Sequence, residues 1–256
     1  CYSVIHCAGF KSVDESIEKP ILYFENNIVS TLSLLECMRL NNIYKIIFSS
    51  SAAVYNNNQI LPLKETSNVG NTNNPYGTSK FIIERILKDI AKSDKKWSVK
   101  IARYFNPISN HYSGLIKDNN SSSVNNLLSI IAKVAQKKLP FVSVFGNNYK
   151  TKDGTGIRDY MHVMDLADAH VLLLKNYKFQ KNLEIYNFGT GKGKTVLEVI
   201  KEFEKQTGAS IPYNFSKRRK GDVAVSFCSN KKAKKELNWK TKYDFIKSMK
   251  DIKEAL

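Results

Sequence analysis

The 256-residue sequence contains no run of about 18 or more apolar residues, so no segment offers a membrane-spanning helix. Its opening, CYSVIHCAGF, has no basic start, no apolar stretch of leader type and no cleavage site, which argues against an export signal. Cysteine is scarce. Cys1, Cys7, Cys37 and Cys228 are scattered without the paired spacing of a zinc site or a disulfide framework, so reduced thiols in a cytoplasmic, soluble protein with no metal are expected. No internal repeat is visible. Acidic residues are outnumbered, 23 against 40 Lys and Arg, for a formal charge of +17. Such a balance favours anionic partners, nucleic acid first among them. The lysines, however, are spread along helix faces (Lys92, Lys95 and Lys96; Lys231, Lys232, Lys234 and Lys235) without interleaved aromatics, and no nucleic-acid-binding module accompanies them. The charge is expected to be solvated surface.

What is present is enough apolar material, 42% of residues, for one large domain or two modest ones. Residues 2–8 form a short β-branched run ending at Gly9, the pattern of a buried parallel strand. Ile28, Leu32, Leu35 and Met38 then recur at helical spacing over residues 26–40. A second buried strand runs from Lys45 through Phe48 into Ser49, Ser50 and Ser51. A helix over residues 75–93 opens on a proline and carries Ile82, Ile83, Ile86, Leu87 and Ile90 on one face, and residues 99–104 supply the next strand. Parallel neighbours need crossover helices, so this alternation predicts an α/β fold with a doubly wound parallel sheet, Rossmann-like, whose ligands bind at the carboxyl ends of the strands. Beyond Asn106 the alternation loosens: a polar loop over 109–123, a helix over 125–138, a strand over 142–145, a helix over 165–176, a strand over 185–188, then lysine-rich helices. A smaller, intertwined lobe is expected, with residues 1–106 in the sheet domain and 107–256 mainly in the lobe.

The densest chemical signal is Tyr76-Gly-Thr-Ser-Lys80. Positions i and i+4 of a helix project together, so phenol and amine can act as a pair. A tyrosine of pKa about 10 is a poor base near neutrality, but a neighbouring ammonium and a cationic nicotinamide ring favour the phenolate and allow proton removal from a sugar hydroxyl. Ser51 ends a buried strand about 25 residues earlier. It could hydrogen-bond the same substrate oxygen, or serve only as a turn or cap.

HCAGFKSVDES, FSSSAAVY, NPYGTSK, ARYFNP, FGNNYKTKDGTGIRDYMHVMDLADAH and RRKGD, in that order over almost the whole chain, resemble the successive motifs of the UDP-galactose 4-epimerase family, within the extended short-chain dehydrogenase/reductase superfamily. The resemblance implies an NAD-binding domain and a small UDP-sugar domain, with Tyr76 as catalytic base, Lys80 holding the nicotinamide ribose and Ser51 assisting. The implied reaction is transient oxidation at C4 of the sugar, rotation of the 4-keto sugar, and return of the hydride to its other face. Carried over by motif, the cofactor contacts are Ala8, Gly9, Lys11, Asn26, Tyr104 and Phe105. The substrate contacts are Asn106, Asn126, Leu127, Phe145, Arg158, Arg219 and Asp222, the two arginines toward the diphosphate. Ser226 takes the position beside the sugar's C2 substituent, where a small residue admits an N-acetyl group. A homodimer through the apolar faces of the helices at Ile28 to Met38 and Ile82 to Ile90 is implied as well.

Two departures from the pattern stand out. A Rossmann domain begins with a strand, a Gly-rich turn and a helix that receives the pyrophosphate, followed by an acidic residue for the adenine ribose. The 256 residues contain neither feature. Together with Cys in place of an initial Met, this leads us to expect an amino-terminally truncated chain that by itself binds NAD poorly or folds incompletely. The loop beginning at Leu115-Ile-Lys-Asp-Asn-Asn is also more basic than the Gly-Glu-Asp-Pro version of the family. A 4,6-dehydratase would place an acidic pair after the strand-end hydroxyl, where this sequence has Ala52 and Ala53. Epimerases of the UDP-xylose or UDP-glucuronate type, and an inactive binding or dimerisation fragment, stay open as alternatives.

Overall fold

The structure, a computed structural model, describes residues 1–57, 59–111, 113, 115–116, 126–177, 181–219 and 221–254. Its centre is a sheet of four parallel strands: β1 (Val4–His6), β2 (Lys45–Ser51), β3 (Ser98–Tyr104) and, arriving much later in the chain, β7 (Leu183–Phe188), lying side by side in that order. The pairing is in step, with His6 beside Phe48, Phe48 beside Ile101 and Ile101 beside Ile185. Because side chains alternate across a strand, Ile46 and Phe48 enter one core and Ile47 the other.

On the first face lie α3 (Ser30–Leu40) and α4 (Pro75–Ser93), contributing Leu35, Met38, Ile83 and Leu87. On the second lie α6 (Val163–Lys175) and α8 (Lys231–Leu237), with Leu166, Ala169, Leu173 and the fully buried Trp239. Both faces are covered, which is why β2 reads as a continuous apolar run rather than an alternating one. Between β1 and α3 the chain passes through α1 (Val13–Glu18) and α2 (Pro20–Phe24).

The remaining elements form a lobe around a second core of Ile131, Val144, Ile200, Phe203 and Met249. Here β4 (Asn106–Ile108), β6 (Ile157–His162) and β10 (Val225–Ser226) run parallel, with β8 (Gly193–Thr195) antiparallel to β6. β5 (Val142–Phe145) pairs with β9 (Tyr213–Ser216), and α5 (Leu127–Ala135), α7 (Val196–Thr207) and α9 (Phe245–Glu254) pack around them.

Several expectations change. The helix expected over 26–40 begins earlier, at Pro20, and passes through a π-helical turn, Glu25–Val29, before α3. The apolar faces assigned to a dimer contact are largely used within the chain: Leu35, Met38, Ile83 and Leu87 are buried against the sheet. Ile21, Leu22, Val29, Leu32 and Leu40 are left exposed along α2, the π-helical turn and α3. Strand β6 escaped the sequence reading because Arg158 and Asp159 interrupt its apolar pattern. Asp159 is wholly buried, yet it is satisfied by the backbone N–H groups of Thr190 at 2.8 Å, Gly191 at 3.0 Å and Cys228 at 3.3 Å, and by the Thr190 hydroxyl. Of the polar loop expected over 109–123 and the basic loop within it, residues 112, 114 and 117–123 lie outside the described residues, as does residue 125 at the expected start of a helix.

The sheet body is tied together by a buried ion pair. Arg103 of β3 donates to both carboxylate oxygens of Glu84 on α4, Nε to Oε1 at 2.8 Å and Nη2 to Oε2 at 2.6 Å, with both side chains at most 1% exposed. Its remaining fork donates to Tyr55 Oη at 3.1 Å and the Glu65 carbonyl at 3.2 Å. Ser50 of β2 donates to Glu84 Oε1 at 2.7 Å, and Tyr55 donates to Asn187 Oδ1 of β7 at 2.6 Å. Removing one member of a buried pair strands the other charge, at about 3–5 kcal/mol. We therefore expect Arg103→Ala and Glu84→Ala each to lose stability of about that size in urea titration. The double variant should lose less than the sum of the two, and additive losses would show that the pair is not coupled.

Candidate active site

The long helix α4 places the chemistry. Asn74 caps it by accepting from the Gly77 N–H at 2.8 Å, and Pro75 occupies the first turn, where its missing N–H leaves nothing unpaired. Tyr76, Lys80 and Glu84 then follow at intervals of four on its buried, sheet-facing side. Gly77 is required, because a Cβ there would approach the Ala53 carbonyl oxygen to 2.6 Å. This contact sets the start of α4 against the turn Ala52–Val54 that follows β2, and so brings Tyr76 to Ser51.

Tyr76 is buried, and burial raises its phenol above the usual value while the Ser51 hydroxyl works against that rise. Lys80 donates to the Ser49 carbonyl at 3.0 Å and lies 4.8 Å from the centre of the Phe48 ring. Burial lowers its amine to about 8, with Cys7 opposing. The sequence reading has the Lys80 ammonium depressing Tyr76. In the structure the forces on the phenol are burial and Ser51, and Lys80 is turned to the strand backbone. Tyr104 ends β3, and its phenol is raised by burial first and then by the neighbouring Tyr76 phenol. Phe105 is buried and donates its N–H to the Phe188 carbonyl.

Ala8 and Gly9 follow β1 and are exposed at the same end of the sheet, with Lys11 exposed beyond them. Gly9 has φ +144, and a Cβ on it would meet Asn27 Oδ1 at 3.0 Å and Lys80 Nζ at 3.8 Å. Asn27, unlike its half-buried neighbour Asn26, is a residue that motif reading missed. Its side chain accepts from the Phe10 N–H at 2.7 Å and from Asn26 Nδ2 at 3.0 Å, and it donates to the Phe10 carbonyl at 3.1 Å and Ser79 Oγ at 3.0 Å. It thereby clamps the loop after β1 onto α4. It lies in the π-helical turn Glu25–Val29, and nothing local in the sequence sets it apart from Asn26.

A second group assembles in the lobe. Arg158 on β6 pairs with Asp222, and the Arg219 guanidinium lies 4.0 Å from the centre of the Phe145 ring at the end of β5. Ser226 on β10 sits in register beside Arg158. The groups approach one another where Asn73, just before α4, donates to the Gly221 carbonyl at 2.8 Å. Asn106 is exposed at the start of β4, Asn126 caps α5 by accepting from the Ser129 N–H at 2.7 Å, and Leu127 packs on the lobe core. Asn126 and Leu127 thus have structural duties of their own. Among the described residues no helix is long and apolar enough to cross a membrane.

A buried Tyr and Lys on one helix face, beside a serine ending a parallel strand, define a nucleotide-dependent enzyme of the extended short-chain dehydrogenase/reductase class. A family model described as GDP-mannose 4,6 dehydratase matches residues 1–252. The chain is 48% identical over 249 residues to a UDP-glucose 4-epimerase of Pasteurella multocida, covering 97% of this chain and 74% of that protein. Among solved structures it is similar to the UDP-glucose 4-epimerase of Bifidobacterium longum in complex with NAD+ and UDP, with TM-score 0.95, 46% identity, and 98% and 75% of the two chains covered. It is also similar to the UDP-Glc/GlcNAc 4-epimerase of Campylobacter jejuni, with TM-score 0.80, 32% identity, and 98% and 75% covered. The chain belongs to the UDP-glucose 4-epimerase family.

The depressed Lys80 amine has a measurable consequence. Between about pH 8 and 10.5 the unfolded chain binds a proton at this position that the folded one has released, so this group's contribution to stability rises with pH across that window and is least favourable below it. The difference is on the order of 3 kcal/mol at 1.36 kcal/mol per unit. Urea titrations from pH 7 to 10.5 should show Lys80→Met gaining stability over the wild type at pH 7, with the gap closing as pH rises. A gap independent of pH would mean that the amine is not depressed.

Proposed function

We propose that this chain carries out NAD-dependent epimerisation at C4 of UDP-hexoses, with Tyr76 accepting the proton, Ser51 sharing the same sugar oxygen and Lys80 holding the nicotinamide ribose. The observation that carries the reading is the buried Tyr76 beside Ser51, with Lys80 one turn further along the same helix face. The surroundings suit the nicotinamide half of a dinucleotide: Gly9 leaves a cradle that a Cβ would fill, facing Lys80 and Asn27. Ala8, Lys11, Asn26, Tyr104 and Phe105 are the further residues assigned to it. NAD, when bound, supplies the reversible two-electron acceptor that oxidation at C4 needs.

The chain's own part is proton handling and placement. Burial alone would keep Tyr76 protonated; Ser51, which lowers the phenol, is the group that opposes it. On the lobe, Arg158, Arg219, Asp222 and Phe145 are assigned to the uridine diphosphate, with Asn106, Asn126 and Leu127 bordering them. A guanidinium lying over a ring keeps its N–H edge for phosphate oxygens. Residues 1–106 accordingly serve the cofactor and 107–256 mainly the sugar nucleotide, with β7 returning to the sheet. The four free cysteines accord with a cytoplasmic location. The exposed Ile21, Leu22, Val29 and Leu32 favour a homodimer, which light scattering at micromolar concentration would read as twice the chain mass.

Conversion of UDP-galactose to UDP-glucose tests the assignment. Tyr76→Phe keeps the packing and removes the proton acceptor, so turnover should fall about 10²–10⁴-fold with KM little changed. Retained turnover would assign the proton to another residue.

Ser226 is a small residue in register beside Arg158, so both the UDP-glucose/galactose pair and the N-acetylhexosamine pair should be accepted, in keeping with the Glc/GlcNAc enzyme of Campylobacter jejuni among its relatives. Ser226→Tyr should crowd that position. Overpacking of about 1–3 kcal/mol corresponds to roughly 5- to 150-fold lower relative rate on the N-acetyl pair. An unchanged ratio of the two rates would place the sugar's C2 substituent elsewhere.

A further inference from the structure

Cys7 stands at the end of β1, exposed, and plays no part in the chemistry proposed above. It heads a chain of three side chains drawn from three elements. Its Sγ lies 3.2 Å from Ser49 Oγ on β2, and Ser49 Oγ lies 2.8 Å from His170 Nε2 on α6. The far ring nitrogen fixes the direction. His170 Nδ1 is 2.9 Å from the Leu166 carbonyl, which can only accept, so Nδ1 carries the hydrogen and Nε2 of the neutral ring offers its lone pair. Ser49 therefore donates to His170, and its two oxygen lone pairs serve the Cys7 S–H and the Tyr104 phenol, which also hydrogen-bonds Ser49.

We infer that Cys7, Ser49 and His170 form a proton relay that makes Cys7 an activated nucleophile, a covalent modification site for small electrophiles at the carboxyl end of the sheet. As the sulfur attacks, its proton passes to Ser49 Oγ and the serine proton passes to His170 Nε2, leaving an imidazolium. With iodoacetamide, an S–C bond forms, the C–I bond breaks and iodide leaves. With hydrogen peroxide, the sulfur attacks one oxygen and the O–O bond breaks. The second oxygen departs as hydroxide and takes the relayed proton to become water, so sulfur is oxidised to sulfenic acid and peroxide is reduced.

The surrounding charges agree with the geometry. The His170 imidazole holds the Cys7 thiol below its usual value, burial pushes the other way, and Ser49 and the Lys80 ammonium add to the lowering. Burial disfavours the charged His170 ring, but Cys7 and the Leu166 carbonyl outweigh it and its value is raised. Tyr104 is the other titratable group coupled to Cys7, and burial keeps its phenol neutral well beyond the range in which the thiol titrates. No sugar chemistry enters this inference, so it stands or falls apart from the epimerase assignment.

The molecule carries its own control in Cys37, an exposed thiol on α3. Each unit of lowered thiol pKa raises the thiolate fraction about tenfold near neutrality and reduces intrinsic nucleophilicity about threefold, a net gain of roughly threefold. The folded chain is treated with iodoacetamide from pH 5.5 to 9.5 and the two cysteine peptides are quantified by mass spectrometry. Cys7 should be alkylated faster than Cys37 at pH 7, by about threefold for each pH unit that the inflection of its rate lies below that of Cys37. Ser49→Ala and His170→Ala should each return Cys7 to the pH profile of Cys37. The wild-type comparison needs neither variant to fold. Equal rates and inflections for Cys7 and Cys37 in the wild type, or variants that leave the Cys7 profile unmoved, would overturn the relay.

Discussion

The Glu84–Arg103 pair is the interaction on which the placement of everything else depends. A helix laid on a parallel sheet by apolar contacts alone is free to slide, because dispersion and hydrophobic burial are only weakly directional. A bidentate guanidinium–carboxylate bond is not. It fixes α4 to β3 at one register, while Ser50 adds β2 and Tyr55 with Asn187 adds β7. Glu84 lies eight residues beyond Tyr76, roughly 12 Å along the helix at 1.5 Å per residue. With the far end held, the near end has one position, and the close packing of Gly77 on Ala53 takes it up.

The polar stripe on α4 explains how one helix can hold both a structural charge and a reactive pair. Tyr76, Lys80 and Glu84 all face the sheet and all are buried, yet they meet different surroundings. Glu84 finds a full complement of donors. Lys80 finds a single strand carbonyl and loses part of its basicity. Tyr76 finds Ser51 and a dry wall, and its phenol rises. The number of polar partners thus falls along the stripe from Glu84 to Tyr76, toward the carboxyl end of the sheet.

Much of this was legible in the sequence. The bounds of α4 follow from an opening proline and an apolar face at helical spacing, those of β5 from a short apolar run, and the Tyr76–Lys80 pairing from helix periodicity. The order of the motifs carries the family. The groups that do the positioning were not legible. Asn27, Glu84, Arg103 and Asp159 are polar residues whose burial depends on partners far along the chain, and no local pattern distinguishes them from surface residues. The same blindness affected the apolar faces of α3 and α4. Periodicity shows that a face is apolar, whereas only the structure shows that the sheet, and not a second copy, covers Leu35 and Leu87.

Asp159 is buried at the point where β6 meets the turn after β7. Its carboxylate is held mainly by main-chain N–H groups of the turn at Thr190 and Gly191 and of Cys228, which any residue other than proline can supply. A Cβ at Gly189 would come within 2.6 Å of both Asp159 Oδ2 and Cys228 Sγ, and Gly191 holds φ +76. The turn is thus specified by its path rather than by its spelling. Among relatives, drift should be free at Lys192 and arrested at the two glycines, and a chain could rewrite most of that surface without moving Arg158, the neighbour of Asp159 on β6.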